Sequence, residues 1–244
     1  MQANAIGFKV RTGPVPLPRR VRWLVPRAAW IEKSRVIRAK RVIDLALCFA
    51  LLPLALPLMA LVALLIYFDS AAPILFVQER AGKGGRKFRI YKFRTLCKEY
   101  SDLTDRERMK AFVRGIDTRE IGSTDKLIHK PFAQTQMTRV GKFLRKTSLD
   151  ELPQLWNVLR GEMSFVGPRP NVLWEVEAYS SWHTERLEVL PGITGLAQVR
   201  GRSGIPFDQI ARYDIEYIRS LSLTLDAQIL WWTVLSIVQG KGAG

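Results

Sequence analysis

The sequence predicts a helix-rich α+β protein, namely a membrane-associated monotopic domain with an N-terminal re-entrant hydrophobic helix, a β-hairpin and interfacial amphipathic helices. Three observations lead to this prediction. A run of 24 residues without charge, 45–68, lies between two basic segments. Two strand-like runs then flank a glycine-rich loop, and helical periodicity returns in the second half of the chain. The expected organisation is a basic arm at 1–37, a membrane helix at 38–70 and a cytoplasmic domain at 71–240.

The uncharged run is long enough to enter a bilayer as a helix, and its long basic lead argues against a cleaved signal peptide. Pro53 and Pro57 lie in the middle of the run and favour a kink. Basic residues flank both ends, whereas a crossing helix keeps its basic excess on the cytoplasmic side. These features favour a helix that enters, bends and returns to one leaflet of the phospholipid bilayer. An ordinary spanning helix with a proline kink is the alternative.

The composition limits the partners and the chemistry. The 244 residues include 38 Lys or Arg against 22 Asp or Glu, a formal net charge of +16. This imbalance favours anionic partners, which are phosphate ligands, nucleic acid or an anionic bilayer, and the basic arm is expected to contact anionic lipid. Two cysteines and two histidines exclude a disulfide scaffold and argue against a zinc site. Both His129 and His183 are expected at the surface.

The domain beyond residue 70 is predicted to begin with a β-hairpin. Its strands are residues 73–78 and 87–93, and the loop 81–86 between them is glycine-rich. That loop could bind phosphate, although a plain turn is favoured because it lacks the spacing of a P-loop. The last predicted helix carries Trp231 and Trp232, which fit either the membrane interface or the domain core. Helical patterns are found at 105–114, 140–146, 152–159, 207–220 and 225–239.

The segment around Asp150 has the pattern of a helix start. Ser148 as N-cap and Glu151 three residues later are predicted to form a capping box. Alone, this pair of acidic residues suits the first turn of any helix. Cations and stiff turns follow in the sequence, however, including Arg169 within a Gly-Pro-Arg-Pro turn. The apolar stripe expected to be buried on this helix consists of Leu152, Leu155, Trp156 and Leu159.

A carboxylate pair among arginines favours phosphoryl chemistry. The helix dipole and the cations are expected to lower the pKa of Asp150, which keeps it ionised and nucleophilic. Arginines can neutralise a diphosphate, and Glu151 can hold Mg²⁺, a cation that takes oxygen ligands and spans phosphates. Attack of a carboxylate on phosphorus is known from aspartyl-phosphate enzymes.

Four segments together resemble the bacterial sugar transferase family, the monotopic phosphoglycosyl transferases. They are KRVID at 40–44, YKFRT at 91–95, the long run 147–170 and PGITG at 191–195. The resemblance extends over about residues 38–238, and within the family the chain resembles the small catalytic-core form. It implies transfer of a sugar 1-phosphate from a UDP-sugar to a polyprenyl phosphate such as undecaprenyl phosphate, with release of UMP.

The family resemblance also implies a location and a pathway step. The reaction takes place at the cytoplasmic face of the bacterial inner membrane. It begins exopolysaccharide, lipopolysaccharide, capsule or glycoprotein glycan assembly, and downstream glycosyltransferases would take the lipid-linked product.

The resemblance assigns roles to several residues. The nucleophile is Asp150, and Glu151 is its Mg²⁺-associated partner, so these two carboxylates are the candidate metal ligands. The membrane helix is broken at Pro57; because Leu56 replaces a serine common in the family, Pro53 is an alternative site of the bend. Asp44 is paired in the family with a basic neighbour, and Arg41 is the candidate. The phosphate-binding arginines are Arg145, Arg169 and Arg202.

Further assignments and alternatives stay open. Lys92 and Arg94 are candidate contacts of the lipid phosphate, or only a solvated strand edge. Asp214 and Tyr217 are weaker candidates for nucleotide binding, with core packing as the alternative for Tyr217. Asp150 could instead act as a base for direct transfer in a ternary complex. The chain could also be a non-catalytic basic anchor that recruits nucleic acid or a glycan-assembly partner, but its basic residues lack the layout of a nucleic-acid module, so no nucleic-acid partner is expected.

Overall fold

The computed structural model describes residues 27–97, 109–115, 137–201 and 205–239. It is a helix-rich α+β fold, as predicted, with two small sheets of two strands each among these residues. Residues 109–113, inside the predicted helix 105–114, are helical. The 3-10 helices of the described ranges are Lys83–Gly85, Leu149–Gln154 and Ser181–Glu188. The remaining elements in chain order are α1 Arg27–Ser70, β1 Leu75–Ala81, β2 Lys87–Phe93, α2 Arg139–Thr147, α3 Leu155–Leu159, β3 Ser164–Val166, α4 Leu173–Val176, β4 Gly192–Thr194, α5 Leu196–Gly201, α6 Phe207–Arg219 and α7 Leu223–Val238.

Helix α1 is long and apolar enough to cross a bilayer, and it presents two different faces. One stripe packs on the domain, because these residues recur at intervals of seven and four and so share a face. The opposite face is apolar and exposed. The predicted interruption at Pro57 or Pro53 is not present, since the helix runs without a break through both prolines. The inner stripe is Cys48, Ala55, Val62 and Ile66, and the most exposed outer residues are Val42, Phe49, Leu54 and Phe68.

The N-terminal part of α1 is fastened to the domain by charged side chains. Lys40 Nζ lies 2.6 Å from Asp226 Oδ2, and the amide of Phe165 donates to Asp44 at 3.1 Å. The expected pairing of Asp44 with Arg41 is wrong. Arg41 instead donates to the carbonyl oxygens at the end of α3, at 2.5 and 3.0 Å, where a helix terminus leaves acceptors without intrahelical partners.

The C-terminal end of α1 is fastened to the same domain. The guanidinium of Arg94 donates to the carbonyl oxygens of Ser70 at 2.7 Å and Ala71 at 2.8 Å. The amide of Val140, in the first turn of α2, donates to Asp69 at 3.2 Å. Both ends of the apolar segment are therefore held by one folded unit.

The predicted hairpin is confirmed. Strands β1 and β2 are antiparallel, from the pair Leu75 and Phe93 to the pair Ala81 and Lys87. The loop between them is a closed turn, in which the amide of Gly82 donates to the carbonyl of Arg86 at 2.8 Å. The hairpin packs on α1 and α3, where its core residues meet.

The outer edge of β2 is bound by a buried side-chain amide. Asn157 Nδ2 donates to the carbonyl of Arg89 at 2.7 Å, and the amide of Tyr91 donates to Asn157 Oδ1 at 3.3 Å. The Asn157 side chain thus takes the place of a third strand and fixes β2 to α3.

The two turns rich in glycine and proline are joined by the parallel pair β3 and β4. The amide of Gly167 donates to the carbonyl of Thr194, and that of Gly192 donates to the carbonyl of Pro168, both at 2.9 Å. A Cβ atom at Gly167 would lie 2.5 Å from the carbonyl oxygen of Leu190. Only glycine permits this approach, so the strands position the turn that contains Arg169.

Helices α6 and α7 complete the domain close to their predicted positions. The sequence of helix α7 fits either the membrane interface or the domain core. One side of the helix packs in the core, where Ile229 is fully buried, while Trp231 is 62% exposed. His183 is buried, in contrast to the surface position expected from sequence. Its ring lies among aromatic side chains and its Nε2 is 3.0 Å from Asp208. His129 lies outside the described residues.

Candidate active site

Asp150 and Glu151 lie on a 3-10 helix, Leu149–Gln154, that directly follows α2. The predicted capping box is absent. Ser148 adopts a left-handed conformation (φ 57°), ends α2 and makes no side-chain cap contact. Pro153, which lacks an amide donor, lies inside the 3-10 helix, and the α-helix begins only at Leu155. The four apolar residues predicted to form one buried stripe therefore do not all face the core, and Trp156 is 55% exposed.

Three basic side chains surround the two carboxylates. Lys92 Nζ lies 2.5 Å from Glu151 Oε1, and Arg169 Nη1 lies 3.8 Å from the same oxygen. Arg145, from the last turn of α2, acts electrostatically on both Asp150 and Glu151. The site thus combines residues of β2, α2, the 3-10 helix and the turn after β3.

Among the described residues, the two carboxylates differ in their hydrogen bonds, since Glu151 accepts one from Lys92 and Asp150 accepts none. Asp150 is 8% exposed, and within the described ranges no group donates a hydrogen bond to its carboxylate. Neither of its oxygens is among the buried polar atoms without a partner, so the carboxylate keeps contact with solvent. A mostly buried carboxylate that is open to solvent beside three cations is typical of a functional site.

The pKa of Asp150 is shifted in the opposite direction from the sequence-based prediction. Burial and the neighbouring charge of Glu151 raise it to about 6, and the cations Lys92, Arg145 and Arg169 only partly offset this effect. The expected lowering of this pKa is therefore wrong. Roughly nine in ten molecules still carry the ionised form at pH 7, so the carboxylate is available as a nucleophile.

Glu151 behaves differently from its neighbour. Burial alone would raise its pKa, but the adjacent Lys92 and Arg169 hold it below the usual range. Burial also lowers the pKa of Lys92, against the opposing charge of Glu151. The two carboxylates are thus distinct, since Glu151 is a paired anion and Asp150 is an unpaired one.

The basic side chains are held by further contacts. Arg145 Nε donates to Thr95 Oγ1 at 3.1 Å, and Thr95 is buried. Arg80 Nη1 donates to the carbonyl of Pro170 at 3.1 Å, which ties the hairpin to the turn of Arg169. The guanidinium side chain of Arg169 is 48% exposed, so it can meet a ligand from solvent.

Several predicted site residues lie elsewhere. Arg94 is 7% exposed and caps the end of α1, so it does not extend the basic edge formed by Lys92. Asp214 is 1% exposed and pairs with Arg186 at 2.6 Å. Tyr217 is also buried. Neither of the two candidates for nucleotide binding lines an open surface, and the core alternative applies. Arg202 lies outside the described residues.

Sequence reasoning missed two supporting residues. Asn157 fixes the strand that carries Lys92, and Arg80 holds the turn of Arg169 while its charge lowers the pKa of Glu151. Asn157 lies in the long motif and Arg80 in the basic run 80–98. No spacing signal distinguished them, because their roles depend on contacts between distant segments.

The donor set is suited to a metal ion bound jointly with a substrate. Across the residues that the structure describes, there is no cluster of three or more His, Cys, Asp or Glu side chains that could hold a metal alone. Mg²⁺, however, is typically bound by one or two carboxylates together with substrate phosphates. Asp150 and Glu151 provide such a pair.

Comparison with known proteins gives consistent matches. The family model described as "Bacterial sugar transferase" matches residues 35–240. The UDP-glucose:undecaprenyl-phosphate glucose-1-phosphate transferase of Caulobacter vibrioides is 38% identical over 251 residues, which cover 99% of this chain and 85% of the relative. The exopolysaccharide production protein ExoY of Rhizobium meliloti is 35% identical over 206 residues, which cover 84% of this chain and 88% of that protein.

Other relatives are considerably longer than this chain. The galactosyl transferase CpsE of Streptococcus agalactiae is 42% identical over 172 residues, which cover 70% of this chain and 36% of that protein. The UDP-galactose-lipid carrier transferase of Erwinia amylovora is matched over 41% of its length. The chain thus spans well under half the length of these two relatives.

Proposed function

Since the chain belongs to the bacterial sugar transferase family, we propose that it transfers a sugar 1-phosphate from a UDP-sugar to a polyprenyl phosphate such as undecaprenyl phosphate. The names of the relatives support this reaction class. The Caulobacter relative is named for UDP-glucose and undecaprenyl phosphate, and an Aeromonas hydrophila relative is named for UDP-N-acetylgalactosamine. The shared substrates are a UDP-sugar and a lipid phosphate, while the sugar differs.

The observation that carries the proposal is the environment of Asp150. Its carboxylate is buried, accepts no hydrogen bond from the described residues and faces the charges of Lys92, Arg145 and Arg169. Those cations can neutralise a diphosphate, so that an anionic nucleophile can approach phosphorus. A carboxylate that is mostly ionised near neutral pH and makes no hydrogen bond to the protein is suited to nucleophilic attack.

In the first step, an oxygen of Asp150 attacks the phosphorus that carries the sugar. A carboxylate–phosphorus bond forms, and the bond from that phosphorus to the oxygen bridging the two phosphates breaks. UMP leaves with that oxygen and the electron pair. Arg169, half exposed on its stiff turn, is placed to bind the diphosphate, and Lys92 and Arg145 offset the charge that moves to the leaving group.

In the second step, a phosphate oxygen of the polyprenyl phosphate attacks the same phosphorus. The new diphosphate bond forms as the carboxylate–phosphorus bond breaks, and Asp150 is released as a carboxylate. The product is a polyprenyl diphosphate sugar. No net proton is required in either step if both attacking groups are ionised, so the site needs cations more than a general base.

Glu151 has a supporting role in this scheme. Its salt bridge to Lys92 fixes the ammonium group beside Asp150, and its charge contributes to the raised pKa of Asp150. Together with Asp150 it would also hold Mg²⁺, which would supply positive charge to the phosphate oxygens.

The contacts of α1 support a placement on one face of the membrane. Its exposed outer face is apolar, while both ends bind the same folded domain through Asp226 and Arg94. A helix that crossed the bilayer would carry its two ends to opposite sides. We therefore infer that α1 is embedded from one leaflet, on the cytoplasmic face of the bacterial inner membrane, where the basic flanks meet anionic lipid.

The proposal is tested by mixing purified protein with Mg²⁺ and each member of a UDP-sugar panel, without lipid acceptor. We expect up to one equivalent of UMP and a phosphosugar adduct on Asp150, detected by mass spectrometry of the digested protein. Adding polyprenyl phosphate should remove the adduct and form the lipid product.

Two other outcomes would contradict this mechanism. Direct transfer in a ternary complex, with Asp150 as base, predicts no UMP and no adduct until the lipid is added. A non-catalytic basic anchor predicts neither at any stage. The Asp150→Asn variant serves as the matched negative control for the adduct.

A further inference from the structure

Four aromatic side chains are exposed close to the C-terminal end of α1. Tyr67 is 55% exposed, Phe68 80%, Phe76 42% and Phe143 56%. Clusters of exposed apolar side chains normally mark a surface that binds something. We call this group the aromatic patch.

Hydrogen bonds hold the ends of the elements that carry the patch next to one another. Tyr67 and Phe68 are in the last turn of α1, whose final residues receive hydrogen bonds from Arg94 at the end of β2. Asp69 accepts from the first turn of α2, the helix that carries Phe143. The ends of α1, the hairpin and α2 therefore meet at one point of the surface.

The aromatic patch adjoins the catalytic cations. Phe76 is the register partner of Lys92, and directly opposed residues of antiparallel strands point to the same side of the sheet. Lys92 in turn binds Glu151. Arg145, on the same helix as Phe143, is bonded to Thr95, the residue after Arg94. At the pair Phe76 and Lys92 the surface thus passes from aromatic to cationic.

This arrangement fits a ligand with an anionic head and an apolar tail. We propose that the aromatic patch binds the isoprenoid units of the acceptor next to its phosphate, so that the phosphate is directed to Lys92 and Arg145. This inference rests on the proposed function and identifies the path of the lipid into the site. It concerns binding and positioning, and the patch takes no part in bond formation.

The exposed apolar face of α7 differs from the aromatic patch in its position relative to the C-terminal end of α1. Asp226, near the start of α7, pairs with Lys40 of α1. Lys40 lies thirty residues before Ser70, so up to ~45 Å of helix separates this contact from the aromatic patch. Trp231 and Val238 on that face, 62% and 79% exposed, are therefore suited to general contact with the bilayer. They provide a matched control.

The test compares Phe68→Ser/Phe143→Ser with the control Trp231→Ser/Val238→Ser, each reconstituted in nanodiscs at equal protein content. KM is measured for undecaprenyl phosphate and for a ten-carbon prenyl phosphate. We expect the patch variant to raise KM for undecaprenyl phosphate about tenfold, because it removes apolar surface that the isoprenoid chain would cover. KM for UDP-sugar should change less than twofold. The control should keep the wild-type KM for both acceptors.

Two results would overturn the inference. One is an unchanged KM for undecaprenyl phosphate in the patch variant. The other is an equal rise in the control variant, which would show that the patch only seats the protein in bulk lipid. Formation of UMP from UDP-sugar alone is measured in parallel on the wild type. Its absence would contradict the proposed function itself, so the two failures are distinguishable.

Discussion

Two clusters of buried charge within the described residues can be compared. In the core cluster, Arg186 and Asp214 lie 2.6 Å apart with side chains 2% and 1% exposed, and Tyr217 donates to Asp226 at 2.7 Å. In the active-site cluster, Lys92 and Glu151 are similarly close, but Asp150 accepts no hydrogen bond from any residue in the described ranges.

The difference between the clusters lies in the number of partners for each carboxylate. In the core cluster every carboxylate is bonded to a donor, as buried polar groups require for stability. In the active site one carboxylate is surrounded by cations without being bonded to them. A substrate phosphate can bind the cations of such a site, whereas the carboxylates of the core cluster already have bonded partners. Burial of charge alone therefore does not identify a catalytic group.

The strongest test of this comparison is Asp150→Asn. We expect UMP release to fall by at least about a thousandfold, because the amide cannot act as the nucleophile. The folded state should be at least as stable as the wild type at pH 7, since the variant removes a buried ionised group. Steady-state UMP release and thermal unfolding in the same detergent check both statements. The matched Asp214→Asn variant should instead lose stability, and the comparison fails if these two phenotypes are exchanged.

A second test exchanges one arginine of each cluster for glutamine. Arg186→Gln should lower the free energy of unfolding by about 3–5 kcal/mol, because it leaves Asp214 charged and unpaired in the core. Arg169→Gln, at a half-exposed side chain, should change it by under about 1 kcal/mol. The latter variant should instead lower kcat/KM for UDP-sugar by roughly tenfold or more, through loss of a charged phosphate contact. Denaturant unfolding and initial rates measure the two effects, and a large stability loss in Arg169→Gln would contradict the assignment.

The raised pKa of Asp150 gives a pH dependence with a definite sign. For the first step, kcat/KM for UMP release should fall as pH decreases through about 6, since the protonated acid is not nucleophilic. For stability, the folded carboxyl binds its proton more tightly than the unfolded one. Wild type should therefore lose about 2 kcal/mol relative to Asp150→Asn as pH rises from about 4 to 7, with no further change above that.

These measurements are rate–pH profiles with UDP-sugar alone and unfolding curves of both proteins between pH 4 and 8. An acidic limb of kcat/KM below pH 4.5 would contradict the raised pKa of Asp150.

Much of this architecture could be predicted from sequence. The hairpin and helices α2, α6 and α7 were located because turn residues and apolar periodicity are local signals. The pair Asp150 and Glu151 was found because a long motif surrounds it. Local signals failed at Ser148, whose left-handed backbone and the following Pro153 produce a 3-10 helix in place of a capped α-helix.

The remaining differences come from tertiary contacts. The direction of the pKa shift of Asp150 depends on burial, which no spacing reveals, and cations near in sequence suggested the opposite sign. The sequence offers Arg94 together with Lys92 as a contact of the lipid phosphate, but Arg94 donates its hydrogen bonds to the end of α1. Tyr217 was found on the predicted helix, yet its partner Asp226 belongs to the next one. The sequence pattern therefore located elements better than the contacts between them.

The smallest effect is expected for Tyr217→Phe, which addresses one of the two weak nucleotide assignments. The hydroxyl donates to Asp226 and lies 3.2 Å from the carbonyl oxygen of Val166, so its removal should lower the free energy of unfolding by about 1–2 kcal/mol. Kinetics of the folded protein should be unchanged, because the side chain is 1% exposed and cannot reach a ligand. Thermal unfolding and KM for UDP-sugar measure the two quantities. A several-fold rise in that KM with normal stability would place Tyr217 in the substrate site and remove the distinction between the two clusters.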